Sequence, residues 1–474
     1  MNKKCQVFTP RNYVKKLLDH INYQENLYGK KILENSCGSG NILIQIVQRY
    51  IDDCKKKNFS QKSIELGLEQ DIYGIEIDIE QYNICIENLN NLLKHNGLNN
   101  IKWNIFNEDY LKWDRIEKFD FIVGNPPYIT YLEIKNLDKI YLKNRFISCK
   151  KGKFDYCYAF IEKSISDLND SGKISYLIPS SIFKTVFGNS LREIMKPYIL
   201  KIEDYTQQNV FDKALIKSSI ILLSKIREKN ILEYNDITTG KHEMINVDTL
   251  ENKWIFDNEN FNYSKKFGDY FQVSHVIATL LNEAYVLKED DYRETKDYYI
   301  SKECYIEKAI VKKTVSPRSL RYNKIEKIIF PYNYENEKVI RLSESEFINK
   351  YPGAFKYLSL FREKLENRKK DKNTEWFEYG RSQALSKIYT DKLLISTIIT
   401  EKPVLYYLSK DCIPYAGMYI IPRKKNNEYS LSDAKKILES EKFLEYIMRI
   451  GIHISGTSLR ITSKDIENYH FMEG

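Results

Sequence analysis

Apolar runs alternate with helix-period segments between about residues 30 and 225, and this alternation constrains the fold more than any other feature of the chain. Parallel strands need long crossover connections, and the segments between the apolar runs are long enough to be crossover helices. The pattern therefore predicts an α/β domain with a seven-stranded, doubly wound, mainly parallel sheet. The candidate strands are Lys31–Glu34, Ile72–Ile77, Ile101–Phe106, Phe119–Val123, Lys173–Ile178, Ile202–Tyr205 and Ser219–Leu223.

A chain of 474 residues is too long for one compact core, because single cores stop growing at roughly 250–300 residues. After about residue 228 the alternation stops, and charged and aromatic residues interleave. We therefore expect two domains, residues 1–228 with the sheet and residues 229–474 with a mixed α+β fold. In the second domain, the basic segment 361–372 (FREKLENRKKDK) is compatible either with a solvated helix face or with contact to a polyanion.

Composition excludes several classes of protein. No run of about 18 apolar residues could span a membrane, and the first residues lack the apolar core of a signal peptide, so we expect a cytoplasmic protein with no membrane partner. The eight cysteines form no Cys-x-x-Cys pair, and we expect neither a bound metal nor a disulfide framework. The formal charge of +9 is compatible with a polyanionic partner, but a lysine-rich composition alone would also explain it.

A glycine loop follows the first predicted strand, in the segment 33–41 (LENSCGSGN). Its glycines let the backbone approach a ligand closely, and the helix that it opens offers unpaired N–H groups. The loop lacks the full dinucleotide-binding spacing, and no Gly-Lys-Ser/Thr follows it as in a phosphate-binding loop. Alone, it is a weak indication of a nucleotide-like cofactor.

Carboxylates follow the second and third predicted strands. Glu76 closes the second strand, where an acidic side chain can accept both hydroxyl hydrogens of a ribose. Asp78, two residues later, suits the N-cap of the next helix. Asp109 follows the third strand and could accept a hydrogen bond from the amino group of an adenine ring. These positions favour a nucleoside-bearing cofactor.

The segment Asn125-Pro126-Pro127-Tyr128 follows the buried strand 119–123. Two consecutive prolines remove two N–H donors and stiffen the turn. The Asn125 side-chain oxygen and a neighbouring main-chain carbonyl can then accept both hydrogens of a planar amino group, while Tyr128 offers a flat surface to the ring that bears it. This segment predicts a binding site for an exocyclic amine on a base.

In this order, the segments resemble the gamma-class N6-adenine DNA methyltransferases of restriction–modification systems, in which a Phe-Thr-Pro element precedes the glycine loop and Asn-Pro-Pro-Tyr. The resemblance implies an S-adenosylmethionine-dependent methyltransferase fold in residues 1–228 and a DNA target-recognition domain in residues 229–474. The glycine loop departs from the family at Glu34 and Asn35, because Glu-Asn-Ser-Cys replaces the more usual Asp-Pro-Ala-Cys. Without the proline, the loop should be somewhat less rigid.

The resemblance also implies roles for single residues. The expected cofactor-binding residues are Phe8, Thr9, Pro10, Glu34, Cys37, Gly38, Gly40, Glu76, Ile77, Asp109, Tyr110, Asn125 and Phe160. The expected catalytic residues are Asn125, Pro126 and Tyr128, and the expected contacts with the target base are Pro127, Tyr128, Phe211 and Lys213. Phe160 suits a core aromatic nearly as well as a stacking partner of the cofactor.

The implied activity is direct, site-specific methyl transfer from S-adenosylmethionine to N6 of a flipped-out adenine, without a covalent enzyme intermediate. Double-stranded DNA is the expected partner, with a cognate restriction endonuclease where the system has one, and the protein is expected to be a monomer. An RNA or protein-glutamine N-methyltransferase can share Asn-Pro-Pro-Tyr but is usually shorter. A DNA-binding specificity protein with an inactive cofactor fold is a further alternative, although Glu76, Asp109 and Asn125 are intact.

Overall fold

The computed structural model describes residues 9–206, 217–256, 265–335, 338–423, 428–454 and 457–472. The chain divides into two compact units, the N-terminal unit (Met1–Glu259) and the C-terminal unit (Asn260–Gly474). The predicted site residues Phe8, Phe211 and Lys213 lie outside the described residues.

One large sheet organises the N-terminal unit, and all seven predicted strands are part of it. In the described part of this unit, its nine strands are β1 (Ile32–Glu34), β2 (Ile72–Ile75), β3 (Asn104–Phe106), β4 (Phe119–Gly124), β5 (Leu168–Pro179), β6 (Ile199–Asp204), β7 (Ser218–Ser224), β8 (Ile231–Asp236) and β9 (His242–Asn246). Their order is β3-β2-β1-β4-β5-β7-β6-β8-β9. Strands β1 to β5 run parallel, and β7 lies antiparallel between β5 and β6. The strand order reverses between β1 and β4, where α/β sheets bind ligands.

The sheet extends past the predicted domain boundary at residue 228. Strand β8 pairs in parallel with β6, and β9 pairs antiparallel with β8, so the compact unit ends at Glu259. Both strands have an exposed face: Leu232 and Ile245 are buried, whereas Ile231 and Met244 are exposed. Their polar, one-sided pattern lacks the apolar runs that predicted the other seven strands.

Helices cover both faces of the sheet. They are α1 (Arg11–His20), α2 (Asn41–Lys56), α3 (Gln61–Asp71), α4 (Ile79–His95), α5 (Asn136–Arg145), α6 (Cys157–Asp167) and α7 (Asn189–Met195). Successive residues of β4 point to opposite faces, so Ile122 joins a hydrophobic cluster with α6, and Val123 joins another with α1, α2 and α4. This is the doubly wound arrangement that the sequence predicts. Among the described residues, every helix is too short or too polar to cross a bilayer.

The C-terminal unit is mixed α+β and is built from several smaller sheets. Its strands are β10 (Lys265–Lys266), β11 (Phe271–His275), β12 (Val286–Lys288), β13 (Arg293–Glu294), β14 (Tyr298–Ser301), β15 (Cys304–Glu307), β16 (Val311–Val315), β17 (Glu326–Ile329), β18 (Tyr332–Glu335), β19 (Lys338–Arg341), β20 (Lys392–Ile395), β21 (Ile398–Ile399), β22 (Leu405–Leu408), β23 (Cys412–Pro414), β24 (Met418–Pro422), β25 (Ile452–His453), β26 (Leu459–Arg460) and β27 (His470–Phe471). The largest sheets have the orders β11-β24-β20-β22 and β12-β17-β16-β23.

The helices of the C-terminal unit are short, and several begin with a capping serine or threonine. They are α8 (Phe267–Tyr270), α9 (Asn282–Tyr285), α10 (Pro317–Arg321), α11 (Glu344–Lys350), α12 (Pro352–Ser359), α13 (Arg362–Asn367), α14 (Leu431–Leu438), α15 (Glu441–Ile450) and α16 (Ser463–Glu467). Only the first half of the basic segment 361–372 is therefore helical.

Candidate active site

A cleft of about 1030 Å³ lies at the carboxyl ends of β1 to β4. Ligand sites have volumes of roughly 300–1,000 Å³, so this cleft has room for a nucleoside-bearing ligand. The predicted site residues that line it are Gly38, Glu76, Ile77, Asp109, Tyr110, Asn125, Pro127 and Phe160. Residues from four separate predicted features therefore meet in one cavity.

The glycine loop turns sharply between β1 and α2. Gly38 and Gly40 have φ angles of +51° and +88°, in the left-handed region that favours glycine. A Cβ atom on Gly40 would also lie 2.7 Å from the Sγ atom of Cys85. The Gly38 N–H donates to Oε2 of Glu76 at 2.8 Å, which joins the loop to the end of β2.

Glu76 is held at the rim of the cleft by main-chain donors on both oxygens. Its Oε1 atom accepts from the Asp78 N–H at 2.8 Å, and its Oε2 atom accepts from Gly38. Burial raises the pKa of Glu76, and these amide bonds oppose that shift. Asp78 caps α4 by accepting from the N–H groups of Glu80 and Gln81, which confirms the helix-cap interpretation. Glu76 is thus fixed in direction, with lone pairs left for a ligand hydroxyl.

Aromatic rings and Asp109 form another part of the cleft. Asp109 accepts from the Leu111 N–H at 3.0 Å and lies 3.3 Å from the Lys112 ammonium. Phe160 is only 4% exposed, and its ring lies 5.2 Å from Tyr110 and 5.7 Å from Tyr156. Phe160 thus belongs to the core and also lines the cleft, and its stacking on the cofactor stays a prediction. Tyr156, which the sequence analysis missed as a site residue, lines the same cavity.

The Asn125-Pro126-Pro127-Tyr128 segment leaves β4 along the cleft. Asn125 and Pro127 line the cavity, and the Ser36 hydroxyl donates to the Asn125 main-chain carbonyl at 3.3 Å. Tyr128 is partly buried and packs against a hydrophobic cluster that includes Val123. Burial raises the pKa of Tyr128 strongly, and a hydrogen bond with Ser218 opposes this shift. The ring is thus anchored by its hydroxyl end and does not contribute to the cleft lining described here.

Several predicted cofactor residues in the described part of the chain do not line the cavity. Thr9 is buried and Pro10 precedes α1, while Cys37 is buried against Cys85. Glu34 ends β1 at 2% exposure. Burial raises the pKa of Glu34 well above its ordinary value, with Cys85 acting in the same direction.

Asn35, in the predicted glycine loop, also lines the cleft. It is 2% exposed, and its Nδ2 atom donates to the Ser164 hydroxyl at 3.0 Å and to the Tyr176 hydroxyl. The hydroxyl oxygens of Ser164 and Tyr176 in turn lie 2.6 Å apart. Hydrogen bonds to α6 and β5 therefore hold the loop at the position where the family more often has proline. The departure was visible in the sequence, but its distant partners were not.

The cleft is acidic although the whole chain is basic. Its lining includes seven carboxylate side chains, Glu76, Asp78, Glu80, Glu108, Asp109, Glu133 and Asp138, against two cations, Lys112 and Lys135. Such a field favours a positively charged ligand. Among the described residues, no group of three or more His, Cys, Asp or Glu side chains is arranged to hold a metal ion.

A family model matches most of the N-terminal unit. Residues 24–211 match the family described as Eco57I restriction-modification methylase. This confirms the resemblance to restriction–modification methylases. The gamma arrangement stays a prediction, because the elements that define its order include residues outside this match.

Two relatives and one solved structure extend the likeness along the chain. The Type II restriction enzyme and methyltransferase RM.Eco57I of Escherichia coli is 25% identical over 555 residues, covering 94% of this chain and 54% of that protein. The Type II methyltransferase M.AccI of Acinetobacter calcoaceticus is 26% identical over 313 residues, covering 56% of each. The Type IIL restriction-modification enzyme MmeI, solved in complex with DNA, has a TM-score of 0.62 at 15% identity and covers 97% of this chain and 64% of that one. The chain spans about half the length of both relatives, and the likeness to MmeI is one of fold.

Proposed function

We propose that this chain transfers a methyl group from S-adenosylmethionine to the N6 amino group of adenine in double-stranded DNA, at a specific sequence. The family match and the type II relatives support modification of DNA. The observation that carries the choice of an exocyclic amine is the position of Asn125, which lines the same cleft as Glu76 and Asp109. An amine acceptor and a nucleoside site therefore share one cavity.

The residues of the cleft fit this cofactor. The fixed carboxylate of Glu76 would accept the ribose hydroxyls, Asp109 would accept from the adenine amino group, and Phe160 would pack against the adenine ring. Gly38 leaves the loop without a side chain beside Glu76, and the acidic lining suits a ligand with a sulfonium. When bound, S-adenosylmethionine supplies a methyl group already activated for transfer.

Asn125 and Pro126 would act on the target amine. An exocyclic amine conjugated to a base is a poor nucleophile because its lone pair is delocalised into the ring. Two acceptors, the Asn125 side-chain oxygen and the Pro126 carbonyl, would hold its two hydrogens and favour a pyramidal nitrogen with a free lone pair. The protein's contribution is thus orientation and placed acceptors, and no covalent intermediate with the enzyme is needed.

Access to the amine requires the base to leave the duplex, which costs a few kcal/mol. Stacking on an aromatic side chain returns roughly 1–3 kcal/mol per base. Tyr128, whose hydroxyl contacts Ser218, is the proposed stacking partner, and Pro127, which lines the cleft, is a further proposed contact of the base. DNA is the proposed partner, together with a restriction endonuclease that cuts the same sequence unless it is methylated, and the enzyme acts as a monomer.

The test is methyl transfer by the purified full-length chain, with labelled S-adenosylmethionine and duplex DNA, RNA or protein as acceptors. We expect N6-methyladenine in duplex DNA as the product, identified by mass after digestion to nucleosides. DNA already methylated at adenine serves as the control, because it should accept far less label. Label on cytosine, on RNA or on a glutamine side chain would overturn the proposal in favour of another amine.

A further inference from the structure

Two basic segments of the C-terminal unit differ in what their cations contact. In the segment 361–372 three of the six cations are engaged within the unit: Arg362 pairs with Glu366, Lys364 pairs with Glu283, and Arg368 donates to the main-chain carbonyls of Thr279, Trp376 and Glu378. Arg362 also lies over the Trp376 ring, 4.7 Å from its centroid. These three cations therefore make contacts within the described part of the unit that the cations of the next segment do not make.

The second segment is the connection from β16 through α10 to β17. Arg318 and Arg321 lie three residues apart on α10, and Lys324 follows in the turn before β17. All three side chains are exposed, and within the described residues none of them pairs with a carboxylate. Tyr322, between them, is 61% exposed. We call Arg318, Arg321, Tyr322 and Lys324 the basic turn.

The backbone of the basic turn is well fixed. Ser316 and Ser319 form a capping box at the start of α10, with the Ser316 hydroxyl accepting from the Ser319 N–H at 3.0 Å and the Ser319 hydroxyl accepting from the Ser316 N–H at 2.8 Å. After the helix, the Lys324 N–H donates to the Ser319 carbonyl at 2.8 Å. A rigid backbone presents these cations with less loss of conformational freedom on binding.

Neighbouring charges make the region more positive. Lys313 on β16 lies directly opposite Lys327 on β17, and like charges in this position destabilise a strand pair. The nearby carboxylate of Glu326 is buried and accepts a hydrogen bond from the Tyr415 hydroxyl at 2.9 Å. An anion bound at the surface would relieve the repulsion between the cations.

We propose that the basic turn binds the phosphate backbone of duplex DNA, with Arg318, Arg321 and Lys324 as the contacting cations and Tyr322 as a further donor. This inference rests on the proposed function, which requires DNA as the substrate. Phosphate contacts position a protein on DNA without reading its sequence. Each one releases counterions, so it adds about 0.9 to the slope of log affinity against log salt concentration.

The test compares two triple variants of the full-length chain that remove the same charge. Arg318→Gln/Arg321→Gln/Lys324→Gln removes the cations of the basic turn, and Lys308→Gln/Lys364→Gln/Lys435→Gln removes cations already paired with Glu294, Glu283 and Glu439. DNA affinity is measured between about 50 and 200 mM salt. We expect the first variant to lose roughly 2–3 from the salt slope and roughly 10- to 100-fold in affinity, and the control to keep the parent slope.

Further readouts separate this inference from misfolding and from the proposed function. Arg318→Lys/Arg321→Lys/Lys324→Arg keeps the charges and should keep most of the slope, and methyl transfer at saturating DNA should be unchanged in all variants. Equal losses in both triple variants, or none in either, would overturn the inference while leaving the proposed function intact. A parent protein that neither binds nor methylates DNA would overturn the proposed function itself.

Discussion

The cleft of the N-terminal unit is acidic, whereas the basic turn of the C-terminal unit carries positive charge. The cleft gathers seven carboxylates at one edge of a parallel sheet. The basic turn, on a short connection between strands, presents cations that pair with no carboxylate in the described part of the chain. The first arrangement suits a cationic cofactor, and the second suits a polyanion. The contrast teaches that net charge of the whole chain, +9, says little about either site.

The contrast between the two units would fail if methyl transfer could not be impaired without also weakening DNA binding. Asn125→Ala should slow single-turnover methyl transfer by roughly 100-fold or more, the range for losing one placed group that acts mainly in the transition state. Cofactor and DNA affinities should change little, because phosphates supply most of the DNA affinity. Ser36→Ala, which removes only a bond to the Asn125 carbonyl, should slow transfer far less. Near-normal rates in Asn125→Ala would contradict the assigned role.

A second variant tests whether the segment 361–372 is structural. Arg368→Ala should lower the free energy of unfolding of the C-terminal unit by about 3 kcal/mol, because it removes charged hydrogen bonds to buried carbonyls. Hydrogen exchange at residues 374–380 should accelerate, with cofactor affinity unchanged. Lys369→Ala, at the exposed neighbouring residue, is the matched control and should leave exchange at the parent rate. If DNA affinity falls while exchange stays slow, Arg368 is a DNA contact instead.

The same contrast explains how much the sequence could predict. In the N-terminal unit Gly38, Glu76, Asp109 and Asn125 each follow a strand, and parallel strands bring their carboxyl ends to one edge, so the sequence could predict that these four residues share one cavity. The hydrogen bonds of Asn35 could not be predicted, because its partners Ser164 and Tyr176 are more than a hundred residues away.

The C-terminal unit was less predictable for a physical reason. Its strands are short and belong to several sheets, so no repeated geometry gathers their ends. The charge density of the segment 361–372 made it a candidate polyanion contact, yet Arg362 and Lys364 are paired with carboxylates. Which cations remain available depends on contacts across the fold, as at the basic turn, and a local charge count does not report this.

A third variant tests whether the cofactor is held in the acidic cleft by specific hydrogen bonds or by the negative charge of the lining. Glu76→Ala should weaken S-adenosylmethionine binding by about 1.5–3 kcal/mol, the range for hydrogen bonds to a charged group. Glu80→Ala removes an exposed carboxylate from the same lining and should have a smaller effect. Calorimetric titration of both variants decides between the two contributions. Equal losses would mean that the field of the cleft, and not the ribose contact, holds the cofactor.

The smallest expected effect concerns Asp155, which lies beside the cleft residue Tyr156. Burial raises the pKa of Asp155 from 3.8 to about 6, and the Glu133 carboxylate acts in the same direction. The folded protein therefore binds this proton more tightly than the unfolded chain, so the Asp155 contribution to stability is lost as the pH rises from about 4 to about 6. Holding an ionised Asp155 at neutral pH thus opposes folding.

Asp155→Asn should remove this dependence. Between pH 4 and pH 7 the variant should gain about 1–2 kcal/mol of unfolding free energy over the parent protein. This range follows from 1.36 kcal/mol per pKa unit, reduced by partial solvent screening. Glu133→Gln should produce a smaller change, since it removes only the secondary cause. Denaturant unfolding across this pH range measures both differences. A difference in unfolding free energy between Asp155→Asn and the parent that stays constant across this pH range would show that folding does not raise the pKa of Asp155. The pH dependence of stability would then be independent of this carboxyl.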